Sequence, residues 1–100
     1  MIIPKALSDA CVWFLRDLEE DIPPNQDWID YAIGHLSNTE KAEAAAFLEE
    51  MLGSSLSDQE LKDIWFEAEA RIGFKDESHY RVILDEMRRR MKGEVPQLKF

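Results

Sequence analysis

SNTEKAEAAAFLEEMLGSSLSDQELKDIW, residues 37–65, carries the same helix-start signal twice. Ser37 is followed three positions later by Glu40, and Ser57 by Glu60. In such a capping box the serine hydroxyl accepts from the backbone N–H three residues on, while the glutamate accepts from the serine's own N–H. Two donors that a first helical turn leaves unpaired are thereby satisfied. Leu56 and Leu61 stand at the two positions of a hydrophobic staple around the second box. Between the boxes Ala44, Ala45, Phe47, Leu48, Met51 and Leu52 recur at helical spacing opposite Glu43, Ala46, Glu49 and Glu50, and Gly53 is placed to close the run. The pattern predicts one helix from Ser37 to about Leu52. A second starts at Ser57, with Leu61, Ile64, Trp65, Ala68 and Ile72 inward and Gly73 as its stop.

Reading outward in both directions extends the same periodicity. Towards the N-terminus, Leu7, Cys11, Phe14, Leu15, Leu18 and Ile22 form a stripe that predicts a helix from about Ser8 to Glu20, ended by Pro23-Pro24. Asp27 then caps a short helix through Leu36, with Trp28, Ile29, Ala32 and Leu36 inward. Towards the C-terminus, Asp76 or Ser78 opens a fifth helix that aligns Tyr80, Ile83, Leu84, Met87 and Met91. The run Arg88-Arg89-Arg90 with Lys92 suits the negative end of its dipole. No strand-like alternation is present, so the expected fold is all-α, a compact single domain of about five short amphipathic helices spanning 1–93, with 94–100 as a C-terminal tail.

Charge narrows the possible functions. The 100 residues carry 12 Lys and Arg against 21 Asp and Glu, a net charge of −9, and the excess lies almost wholly in the first three-quarters of the chain. Such a field repels nucleic acid and anionic membrane and attracts a basic partner. The arginine run lies at a helix C-terminus, where dipole stabilisation and pairing with neighbouring acids account for it better than base recognition does. No apolar run approaches the roughly 20 residues of a membrane span. Residues 1–15 lack the basic and apolar regions of a secretory signal, and the lone Cys11 suits a reducing cytoplasm, where the protein is expected to reside.

The motifs of chemistry are missing. No calcium-loop string, paired Glu-x-x-His motif or glycine-rich phosphate loop occurs, and Asp76-x-x-His79 reads as a helix start. Cys11 falls on the apolar stripe and His35 at the edge of the second helix, positions of packing rather than of nucleophilic catalysis. A non-enzymatic protein with no cofactor and no bound metal is expected. On the projected first helix, Trp13 falls far from the apolar stripe, among Asp9, Asp17 and Glu20, which makes it a candidate interface anchor. Tyr31 between Asp27 and Asp30, and Phe66 beside Lys62, Asp63 and Glu69, complete the expected partner-binding set.

From His35 to Trp65 the capped amphipathic helices and closing tryptophan of HLSNTEKAEAAAFLEEMLGSSLSDQELKDIW resemble the small helical immunity proteins of bacterial contact-dependent growth-inhibition systems. That resemblance implies a cytoplasmic protein that binds the toxin domain of its own system, often a nuclease, and covers its active site. It transfers no individual functional residue. Read from the residues alone, the runner-up is an acidic helical adaptor or subunit that docks a basic surface of another protein.

Overall fold

The computed structural model describes residues 2–15 and 22–98. Five helices and no strand occur among them: α1 Lys5–Cys11, α2 Trp28–Ile33, α3 Asn38–Gly53, α4 Asp58–Glu67 and α5 Ser78–Met91. Both capping boxes form as the sequence predicts, with Glu40 N–H donating to Ser37 Oγ at 3.2 Å and Glu60 N–H to Ser57 Oγ at 3.1 Å. Asp27 caps α2 by accepting from Asp30 N–H at 2.9 Å. Before α5, the Asp76 carboxylate accepts from the N–H and hydroxyl of Ser78 at 2.9 and 2.7 Å, so the first turn begins one residue after an acidic turn.

Helix α1 differs most from expectation. It starts at Lys5, because Pro4 supplies the φ of −57° that precedes a helix, and it ends at Cys11 rather than continuing towards Glu20. Beyond Cys11 the chain turns, which sends neighbouring aromatic residues in separate directions. Phe14 enters the core against Trp28 and Trp65, at ring-centroid distances of 5.7 and 4.8 Å, and Trp13 packs on α2. The remainder of the expected first helix, residues 16–21, lies outside the described residues.

Two other boundaries move for visible reasons. Helix α2 stops at Ile33, with Gly34 as its C-cap, and a turn still brings Leu36 into the core. Helix α4 stops at Glu67, well before Gly73, through a Schellman motif in which Ala70 N–H donates to Trp65 C=O and Glu69 N–H to Phe66 C=O. Glu69 occupies the left-handed position at φ +73°, which glycine normally fills. Early termination frees the loop to fold back, so that Ile72 C=O accepts from the indole of Trp65 at 2.8 Å and Arg71 N–H donates to Phe14 C=O at 3.0 Å.

Helix α5 is the central element, packing on α3, α4 and α2. Leu7, Phe14, Ile29, Leu48, Leu61, Trp65, Tyr80, Ile83, Leu84 and Met87 are its fully buried partners or members, and Cys11 lies with them. Among the described residues no helix is long and apolar enough to cross a membrane.

Candidate functional site

The end of α5 gathers the basic side chains, and acids from three other parts of the chain meet them. Arg88 reaches Asp85 at 3.0 Å and Glu49 of α3 at 3.6 Å; Arg89 reaches Asp85 at 3.3 Å and Glu94 at 3.5 Å. Lys92 pairs with Glu49 and stands 3.9 Å from Glu94. Arg90 is the most enclosed, its side chain only 4% exposed, and its guanidinium contacts Asp27 at 2.6 Å, Asp30 at 3.0 Å and Glu86 at 2.7 Å. Burial works against the Arg90 charge, but the hydrogen bonds to Asp27 and Glu86 outweigh it and raise the pKa, so the guanidinium stays charged. A planar fork suits this task because it can engage several carboxylates at once.

The expected partner-binding residues take different places in this arrangement. Asp27 and Asp30 hold Arg90 inside the fold, and Asp27 also caps α2, so neither offers an unengaged charge to a partner. Asp9 pairs with Lys5 one turn away at 3.1 Å. Asp17 and Glu20 lie outside the described residues. Carboxylates with neither an ion pair nor a side-chain hydrogen bond among the described residues occur instead at Glu43 and Glu50, seven positions apart on α3, and at Glu67 and Glu69 at the end of α4. Sequence reasoning missed this division because ion pairs spanning 60 or 63 positions leave no local pattern.

The aromatic candidates also take new positions. Trp13 does not project from an acidic helix face, because α1 has ended before it and helical projection no longer applies. It is half-buried, stacked on the imidazole of His35 at 4.0 Å with planes 14° apart, and set edge-on to Tyr31 at 5.8 Å. Its carbonyl accepts from the Trp28 indole at 2.8 Å, and His35 Nδ1 lies 2.8 Å from the carbonyl of Tyr31. Trp13, Tyr31 and exposed His35 therefore form one aromatic patch joining α2 to the turn after α1. Phe66 lies elsewhere. It is 41% exposed, and its inner side rests on Tyr80 at 5.8 Å.

Cys11 is completely buried, and desolvation pushes its thiol far above the ordinary range. No three His, Cys, Asp or Glu side chains among the described residues are grouped as metal ligands. Comparison with models of known protein families, with curated proteins and with solved structures gave no match.

Proposed function

We propose that the chain is a non-catalytic acidic binding protein, an immunity protein that neutralises a cognate bacterial toxin by masking its basic active site. The observation that carries this reading is the pairing of positive charge within the chain: the arginines and Lys92 at the end of α5 are met by Asp27, Asp30, Glu49, Asp85, Glu86 and Glu94. What remains outward is the larger part of a net charge of −9, including Glu43 and Glu50 on α3. A nuclease centre is basic because it holds phosphate, and an acidic surface complements it through both steering and register. The patch of half-buried Trp13 and Tyr31 with exposed His35 supplies the aromatic anchor that charge alone lacks.

Affinity capture from the native cell with the intact protein, followed by mass spectrometry, is expected to recover a basic toxin domain whose activity falls on binding. With that partner, association should slow as salt is raised from low to physiological levels, since steering acts on the on-rate. Trp13→Ala should leave the fold intact and weaken the complex by about 2 kcal/mol, mainly through faster dissociation. Salt-independent association would remove the electrostatic part of the proposal. Unaltered dissociation of a folded Trp13→Ala protein would remove the anchor.

A further inference from the structure

Helix α2 closes in a way that fixes the position of a hydrogen. Its last turn spends Gly34 N–H on Asp30 C=O and Leu36 N–H on Ile33 C=O, and among the described residues no backbone N–H reaches the carbonyl of Tyr31. Carbonyls at a helix end need donors from elsewhere. Here the donor is the His35 side chain, whose Nδ1 stands 2.8 Å from Tyr31 C=O. A carbonyl oxygen has no hydrogen to give, so Nδ1 carries one in the neutral ring as well as in the cation. Neutral His35 is therefore the Nδ1–H tautomer, with its lone pair on Nε2.

The ring that carries the lone pair is also held in orientation. It lies flat on Trp13, whose own carbonyl is anchored by the Trp28 indole, and Tyr31 meets it at 4.9 Å with planes 74° apart. Stacking restricts rotation of the ring, and the Tyr31 carbonyl selects one of its two flips. His35 is nonetheless exposed, and among the described residues neither its Nε2 nor the Tyr31 hydroxyl has a hydrogen-bond partner. The patch thus presents a fixed acceptor within an aromatic cluster, on a chain of net charge −9. Acceptor, aromatic faces and negative field together select a cation that donates hydrogen bonds. Arginine fits this demand, because its planar guanidinium carries five N–H donors and stacks on aromatic rings, whereas the compact, strongly hydrated lysine ammonium has no plane to stack.

We propose that His35 is a specificity-determining residue of the aromatic anchor: its Nε2 accepts a hydrogen bond from an arginine side chain of the bound partner, and the closing turn of α2 makes this possible by holding the hydrogen on Nδ1. The inference rests on the binding role given to this patch above and names the side-chain class that the patch takes. No part of the fold has to move, because His35 is already exposed. The opposite tautomer would place a donor at the same point and set N–H against N–H.

The test applies nuclear magnetic resonance of the histidine side-chain nitrogens to the intact protein at about pH 8.5, where imidazole is ordinarily neutral. In the free protein, His35 should show a protonated Nδ1 and a bare Nε2. The probes are acetyl-Gly-Arg-Gly-amide and acetyl-Gly-Gln-Gly-amide. The arginine peptide should shift the His35 Nε2 resonance saturably, bind at least about fivefold more tightly than the glutamine peptide, and leave exposed His79 in place as internal control. His35→Phe, checked for folding by circular dichroism, keeps a ring to stack on Trp13 but has no acceptor. Its affinity for the arginine peptide, followed at the Trp13 indole N–H, should fall at least about fivefold. A hydrogen on Nε2 of the wild-type protein, an Nε2 resonance that ignores the arginine peptide, equal binding of the two peptides, or undiminished binding by folded His35→Phe would each overturn the proposal. None of these readouts requires a toxin. Failure to capture one removes the immunity reading and leaves this contact standing, whereas a hydrogen on Nε2 removes the contact and leaves that reading.

Discussion

Glu69 holds a backbone conformation that suits a residue without a side chain. Its φ of +73° is the sole left-handed value at a non-glycine among the described residues, and its side chain is exposed with no ion pair among them. An L-residue there costs about 1–2 kcal/mol of steric energy, partly offset by its lower entropy in the unfolded chain. Glu69→Gly is therefore expected to stabilise the protein by about 0.5–1 kcal/mol, read as a higher urea midpoint. A lower midpoint would show that Glu69 contributes something its surroundings do not reveal. Cys11 offers a complementary test of the core. Buried completely and kept as a thiol by desolvation, it should react with a thiol reagent only as fast as the protein opens, and rapidly in denaturant. Rapid labelling in native buffer would mean that the α1 packing is wrong.

At the level of the helices, local chemistry sets the starts more firmly than the ends. Ser57→Ala should lose about 1 kcal/mol, because the hydroxyl that receives Glu60 N–H disappears while the exposed surface barely changes. An unchanged midpoint would remove Ser57 from that role. Both serine boxes and the Asp27 cap were legible in the sequence because donor and acceptor lie within three residues of each other. The ends of α1 and α4 were not. Nothing in the local pattern says that Trp13 and Phe14 must part company, or that Glu69 will occupy a glycine's place so that Ile72 can reach the Trp65 indole. Those outcomes belong to tertiary packing. The inward stripe of α5 was read correctly for Tyr80, Ile83, Leu84, Met87 and Met91, whereas buried Glu86 among them was not foreseen. A lone acid on such a stripe is intelligible only once Arg90 and the backbone N–H of Gln97 are in position. The same limit applied to the candidate site: aromatic residues could be nominated from sequence, but the joining of Trp13 to His35 depended on where α1 ends.

For the molecule as a whole, exposed carboxylates make stability depend on acid. Glu40 is held below its ordinary value of 4.5 by the backbone N–H of Ser37, Glu49 below 4.5 by the Lys92 ammonium, and Asp76 below 3.8 by the Ser78 hydroxyl. Each is therefore more acidic folded than unfolded. Its contribution is complete above those ordinary values and is lost as pH falls through the lowered ones. Urea midpoints should stay level from neutrality down to about pH 5.5 and decline below about pH 4.5. A decline beginning near neutrality would point to other groups. The place of α5 in the order of the chain adds a constraint in time. This helix packs on α2, α3 and α4, and Arg90 closes bonds to Asp27 and Asp30, yet it is the last of the five helices to leave a ribosome. Earlier helices emerge with their inner faces bare and their acids uncompensated, so a nascent chain is a loose polyanion until its closing arginine arrives. Vectorial synthesis thus delays the whole architecture to a late moment, and a chain stalled before Arg90 should be open to protease along its entire length.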